Sequence, residues 1–598
     1  MAHATKAKGP HWLDDYGGQR YQWRKTKVKG ETAFYRPLGL TESAFDSDGR
    51  YYEGRADLNS VLELEVKSTL SKDQLHQQIL LAWTCLRCQH SLLRAASTRR
   101  SEVPGAVQGD DEEYCFVVNI SRSSTKAIED AREHVVFLDN FYDTVDTNDF
   151  WYHTQNTARV IDPAKALSRL FVFPPSPTTA SDTFRLRLLL IGSHQIWDGL
   201  TASNWFRAFL HHLNQSPQTL LDQISLASLN ETTPHLPLPQ EALYPRIPGS
   251  RARQRWFWLL TRIHQHIRTP LPAGFPNPLL RPSGPRPPTP LPATYAAAGL
   301  SYTRLPPITS GPAFATLPPP ALQILTTLCR DLNASLGAAC FALTALATMT
   351  VHESQFPDIP LHERKPFIAG FPLNPRAFLD SKPPPESLML AFSAGIVLPF
   401  LPSSLSKRKR LRLLIKIADR QLGAYRKPRR KVIAPTPSTP TPLNPTPPSP
   451  ARALLASTYL TSLTRAHTAN PNLPPLPNPP YPPNPNPTPQ THGISSLGSL
   501  DAILHHNLYP LTAPAPAYPA FIADFRAQKS NVRARSGEFL VGISGGGEGV
   551  GVGVSVDFSA MDEGRVREWV GVLEQGLEDD ADGGGGNRED EAVDRARL

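Results

Sequence analysis

Sixty-three prolines stand among 598 residues, and they set the first limit on what the chain can fold into. A proline has no backbone N–H and a fixed φ, so it breaks helix interiors and central strands. Regular structure must lie between the proline-dense stretches, which run from about 234 to 320 and from 433 to 490. The second stretch is Pro, Thr, Asn and Ser in near-repeats. That composition cannot bury a core and is expected to be a disordered insertion. The organisation that follows is a first lobe over 1–245, a Pro-rich linker over 246–320 and a second lobe over 321–577 that contains the insertion. A disordered acidic, Gly-rich tail over 578–598 closes the chain. With 40% apolar and 19% charged residues, a folded body is expected, and the length calls for more than one core.

Hydrophobic spacing fills in the elements. Residues 1–60 read only as polar and aromatic-rich. Leu75 to Ala95 predicts a helix, Glu113 to Ile120 and Arg169 to Phe173 predict strands, and Phe184 to Ile191 predicts a strongly apolar strand followed by a helix over Leu200 to Leu213. In that helix Leu200, Phe206, Phe209, Leu210 and Leu213 fall mainly on one face. The second half begins with one long helix, Pro320 to Thr350. Strands follow over Phe367 to Phe371 and Ala394 to Phe400, then a basic helix over Lys407 to Lys431. Gly493 to Gly498 resumes order, and a strand pair (Phe539 to Ile543, Val550 to Phe558) precedes a helix over Met561 to Leu577. The class is α/β with mixed sheets and helices.

Composition narrows the function. A net charge of +9 suits an anionic partner but is modest over this length, and nucleic acid is not expected. Lys407-Arg408-Lys409-Arg410 reads first as the solvated face of a surface helix, with a nuclear address, a nucleic-acid patch or attraction of coenzyme A phosphates as the alternatives. The five cysteines include Cys85-Leu86-Arg87-Cys88, but no second close pair supplies four ligands, so no metal site is expected. The N-terminus opens without an apolar signal region. The longest apolar stretch, Leu388 to Leu401, is too short to span a bilayer. A cytoplasmic protein with free thiols and no membrane span is expected. Gly545 to Gly553 lacks a following Lys-Ser/Thr and a βαβ setting, so it reads as a hairpin turn rather than a phosphate loop.

The chemistry concentrates in His194-Gln195-Ile196-Trp197-Asp198-Gly199, where the apolar strand gives way to the helix. Such a His-x-x-x-Asp-Gly run arises by chance on the order of 0.05 times in a chain of this composition. A histidine held at a strand end can face a cleft, and its ordinary pKa suits proton removal near neutral pH. His194 is therefore the candidate general base. Asp198, four residues on across a tight turn, need not face the imidazole. It more readily holds the loop, through backbone N–H groups at a helix start or through a distant arginine. Gly199 fits a close backbone approach or a positive φ.

These residues resemble the active-site motif of the coenzyme A-dependent acyltransferase superfamily, which includes chloramphenicol acetyltransferase, plant BAHD acyltransferases and peptide-synthetase condensation domains. The layout is most similar to the fungal trichothecene 15-O-acetyltransferase group. His90 to Arg94, Phe371 to Arg376, Phe392 to Pro399, Ser495 to Gly498 and the closing strands and helix add to the likeness. It spans about residues 20–575 less the Pro-rich stretches. The resemblance implies two chloramphenicol-acetyltransferase-like lobes with an active-site tunnel between them. It implies an O-acyltransferase using acetyl-CoA or another acyl-CoA as co-substrate, acting as a monomer on a hydroxylated small-molecule acceptor such as a trichothecene-type sesquiterpenoid. His194 would be the base, Asp198 would be structural with Arg376 as its partner, and Ser495 or Ser496 would donate to the oxyanion. Residue 193 is Ser where condensation domains usually carry a second His, and the Asp-Phe-Gly-Trp-Gly run of plant members is absent. A condensation-type enzyme with a carrier-bound thioester and a non-catalytic scaffold are the alternatives.

Overall fold

The run Leu186 to Ile191 shows how the first lobe is built. In a strand, successive side chains point to opposite faces. Leu186, Leu188 and Leu190 enter one apolar cluster, and Leu189 and Ile191 enter another. Arg185 and Arg187 alternate with leucines at the start of the strand, and from Leu188 onward the run is apolar without a break, as burial on both faces requires. In the computed structural model this strand spans Thr183–Gly192. The residues described are 19–107, 113–178, 182–229, 236–244, 249–267, 271–379, 387–393, 395–425, 490–511, 521–546 and 549–575. The expected insertion over 433–489 and the tail over 578–598 lie outside them.

The motif strand is central in a six-stranded sheet. Leu58–Ser68 pairs with it antiparallel on one side and Ser168–Val172 on the other. One face is covered by the helix Lys72–Gln89, through Ile79, Trp83 and Leu86. The helix Gly199–Leu213 covers the same face, through Trp205, Phe206, Phe209 and Leu210. Phe150, Trp151, Phe171 and Phe173 close the other face.

A second six-stranded sheet runs in the order Ser310–Leu317, Gly549–Asp557, Phe539–Gly546, His492–Ser499, Phe367–Gly370, Ile396–Leu398. Its core centres on the helix Leu336–Gln355, apolar on nearly all sides, with the helices Lys407–Leu422 and Glu563–Glu574 packed alongside. Leu336–Gln355, and not Leu388 to Leu401, is the one helix among the described residues that is long and apolar enough to cross a membrane. Its side chains from Ala338 to His352 are almost all buried in this core. A four-stranded sheet formed by Arg24–Val28, Glu31–Pro37, Tyr114–Asn119 and Ala95–Arg99 flanks the first lobe.

Four expectations are corrected. The helix predicted over Leu75 to Ala95 ends at Gln89. Leu92 and Leu93 continue the apolar pattern in a 3₁₀ turn, and Ala95 opens a strand paired with Tyr114–Asn119. The single helix over Pro320 to Thr350 is two, Pro319–Asp331 and Leu336–Gln355. Asn333 takes a left-handed φ of 49° and Ser335 caps the second helix through Ala338 N, the stop and start chemistry that these residue types favour.

The stretch 246–320 is no simple linker. It carries a helix, Arg251–Ile267, and the edge strand Ser310–Leu317, where Pro312 sits at a position only an edge tolerates. Phe275, Leu279, Tyr295 and Leu300 are buried along it. Finally, Phe521–Val532, expected in the second lobe, pairs with Leu58–Ser68 from Phe521↔Ser68 to Val532↔Leu58 and so completes the first lobe's sheet. Its bulge between Phe525 and Ala527 and its polar tail, Gln528 to Asn531, hide it from a periodicity search.

Candidate active site

His194 follows directly from the strand end. Gly192 and Ser193 are buried, and Trp197 folds back so closely that a Cβ on Gly192 would lie 2.8 Å from its Nε1. Trp197 in turn stacks on Trp205 of the motif helix at 5.2 Å. This apolar clamp fixes the turn from both ends. The imidazole it presents is half-buried and lies flat on Phe45, with ring centroids 4.1 Å apart and planes 10° from parallel. Nδ1 is sealed inside without a hydrogen-bond partner of good geometry, whereas Nε2 is not buried. Burial pushes the His194 pKa down, and the positive charge of Arg535 adds to this. The carbonyls of His194 and Trp197 and the Asp198 carboxylate pull the other way without reversing the shift. The ring is thus held neutral, the form that accepts a proton.

Asp198 turns away from the imidazole. Its Oδ1 caps the motif helix, accepting from Thr201 N at 2.8 Å and Thr201 Oγ1 at 2.9 Å. Its Oδ2 accepts from Arg376 Nη2 and from Met389 N, both at 3.0 Å. Arg376 is presented by a 3₁₀ turn, Pro375–Phe378. Asn374 caps that turn and Pro375 fills the first helical position, where a missing N–H costs nothing. Arg376 also donates to the Ser387 carbonyl. Asp198 therefore ties the first-lobe motif to a loop of the second lobe. Gly199 has no positive φ. The approach there is close: a Cβ would lie 2.5 Å from Leu497 Cδ2 and would have to displace that side chain.

Leu497 is the residue bulged out of the strand His492–Ser499, where the register with Phe539–Gly546 slips between Ser496 and Gly498. The strand carrying Ser495 and Ser496 thus abuts the motif, but through Leu497. Ser495 is half-buried and Ser496 is exposed.

Residues that no spacing pointed to complete the surroundings. Helix Leu40–Tyr51 supplies Phe45 to His194, Asp46 to the Gln195 side chain (Nε2 to Oδ1, 3.1 Å), and Asp48 to Arg535 (Nη2 to Oδ2, 2.6 Å). Ser193 Oγ accepts from Gln195 Nε2 at 3.1 Å and Arg159 Nη2 at 3.3 Å, and Arg159 makes a two-pronged pair with Asp57, 2.7 Å on each arm. So Ser193 anchors a buried polar network rather than facing outward.

Among the described residues no group of three or more His, Cys, Asp or Glu side chains is arranged to hold a metal ion. Cys85 and Cys88 are unbridged, and burial pushes the Cys85 thiol up to about 12. A cavity of about 510 Å³ is lined by Asp73, His76, Leu80, Phe137 and Phe141, and no motif residue borders it.

The fold is mixed α/β in two lobes, with the His-x-x-x-Asp-Gly turn where the lobes meet. The solved structure of TRI3 trichothecene 15-O-acetyltransferase from Fusarium sporotrichioides superposes with a TM-score of 0.61 at 11% identity, covering 93% of this chain and 96% of that one. The condensation domain of the monacolin K polyketide synthase MokA gives a TM-score of 0.46 at 11% identity over 90% and 97% of the two chains. The first condensation domain of the calcium-dependent antibiotic synthetase gives 0.48 at 9% identity over 90% and 96%. No family model matches the sequence, and no curated protein matches it.

Proposed function

We propose that the protein is an O-acyltransferase that moves an acyl group, acetyl in the simplest case, from acyl-CoA to a hydroxyl of a secondary metabolite of the trichothecene sesquiterpenoid type. The observation that carries this reading is the placement of His194: an imidazole stacked on Phe45 and sealed at Nδ1, with Asp198 committed elsewhere. Nε2 takes the proton of the acceptor hydroxyl, and the oxygen attacks the thioester carbonyl. The tetrahedral oxyanion collapses with cleavage of the C–S bond, and the proton on His194 passes to the leaving thiolate. Ser495 or Ser496 is assigned as oxyanion donor, a contribution on the order of 3 kcal/mol per donor. The seam between the lobes is the proposed route for both substrates, which meet at His194 from opposite faces.

Ser193 stands where condensation domains usually carry a second His, which favours free acyl-CoA over a carrier-bound thioester. The test is acetyl-CoA with a panel of hydroxylated sesquiterpenoids, following thiol release. His194→Ala should lower turnover by about 10²–10⁴-fold, the usual range for losing a positioned base, with the thermal midpoint near that of the unaltered chain. Full activity in this variant removes the assignment. Failure to bind coenzyme A by an intact fold favours a scaffold.

A further inference from the structure

Helix Arg251–Ile267 is amphipathic in a way that its neighbours in the fold are not. The basic helix Lys407–Leu422 turns Leu411, Leu414, Ile415 and Ala418 into the second lobe's core. In Arg251–Ile267 the apolar stripe faces solvent. Trp256, Leu259, Leu260 and Ile263, spaced i, i+3, i+4, i+7, are 61%, 45%, 48% and 45% exposed. Four large apolar side chains on consecutive turns of one face form a contiguous patch, unlike the scattered exposed hydrophobics elsewhere.

Charge narrows what covers this patch. From Ala242 to Arg330 the chain contains ten arginines and no Asp or Glu. Arg281 and Arg304 in this stretch find their acids on other segments, Asp562 and Glu53. Within the helix, Arg253 and Arg255 are exposed and flank the apolar stripe on its two sides. A tryptophan and aliphatic residues on one face, with arginines along the rims, is the pattern of a helix lying in the plane of a bilayer surface. There the rings and aliphatic chains reach the acyl boundary and the guanidinium groups stay at the headgroups. The acidic tail 578–598 matches the charge but offers only Val593 and Leu598 as large apolar residues, too little to cover the stripe.

We infer that Arg251–Ile267 is an interfacial helix that docks the protein on an anionic lipid surface. The test is co-sedimentation of the full chain with vesicles of phosphatidylcholine alone, and with vesicles of phosphatidylserine and phosphatidylcholine in equal parts. The unaltered chain should pellet with the anionic vesicles and be released by salt. Arg253→Glu with Arg255→Glu should weaken binding by more than tenfold, about fivefold for each arginine lost, and remove the preference for phosphatidylserine. Leu259→Glu with Ile263→Glu should abolish binding to both. Because these side chains lie in solvent, all variants should keep the original thermal midpoint, and thiol release in free solution should be unchanged. A chain that stays in the supernatant with anionic vesicles overturns the inference. So does pelleting that survives Leu259→Glu with Ile263→Glu. Concentration-dependent self-association abolished by that pair would assign the face to a second copy instead.

Discussion

The ring of His194 lies flat against the ring of Phe45, 4.1 Å centroid to centroid, although the two residues belong to elements far apart in sequence. The stack sets the plane of the imidazole, and therefore the direction in which Nε2 presents its lone pair. Phe45→Leu keeps most of the buried volume and removes the flat partner. Turnover should fall about tenfold with little change in KM, because orientation of the base acts in the transition state. Equal turnover in the two proteins would show that the turn alone orients the ring.

Arg535 is the cation that helps keep His194 unprotonated, and Asp48 holds Arg535 in place at 2.6 Å. The pH profile of kcat/KM should therefore rise through a midpoint below the ordinary histidine value of about 6.5. In Arg535→Gln that midpoint should move upward, since a cation disfavouring imidazolium has gone. A fixed midpoint would mean that burial alone sets it.

Stability should fall on the acid side for a related reason. Burial lowers the pKa of His212, His352 and His492 to about 4 and of His134 to about 3. Each folded site refuses a proton that the unfolded chain accepts below about 6.5. The unfolded state then binds more protons, so stability is complete above 6.5 and declines as pH drops toward 4. A urea titration at pH 7 and pH 5 should show a lower midpoint at pH 5. Coincident midpoints would mean that these rings protonate without unfolding.

The pair Asp198–Arg376 joins the lobes at a site where both side chains are largely buried. Arg376→Ala leaves a buried carboxylate with one strong donor fewer, which costs about 3–5 kcal/mol. Arg376→Ala combined with Asp198→Asn should recover part of that loss, because no uncompensated charge remains. Additive losses measured by denaturant unfolding would show the pair to be uncoupled.

Gly199→Ala should destabilise by about 1–3 kcal/mol through overpacking against Leu497, and Leu497→Ala in the same chain should restore most of it. If the double variant is no better than the single one, the cause lies in the helix start and not in the contact.

The first lobe's centre was legible because it obeys local rules. The apolar run before His194 and the one-sided helix after it need no distant information. The pairing of Asp198 with Arg376 rested on resemblance, and the structure supplies the contact itself. Phe45, Asp46 and Asp48 were not legible, since a helix that is half polar carries no sign of which turn it will touch. The split at Asn333–Ser335 was written in the sequence, as a left-handed residue type followed by a capping serine, but the apolar run across it masked the break. Phe521–Val532 was misplaced because strand pairing across more than 450 residues leaves no local trace.

That strand has a consequence for how the chain is made. Leu58–Ser68 is synthesised early, and one of its edges has no native partner until residue 532 has left the ribosome. The first lobe cannot close as a vectorial, co-translational unit. It waits, with one row of N–H and C=O groups open, for nearly the whole polypeptide. A fragment ending before Phe521 then lacks one strand of this sheet and leaves an open edge prone to aggregation.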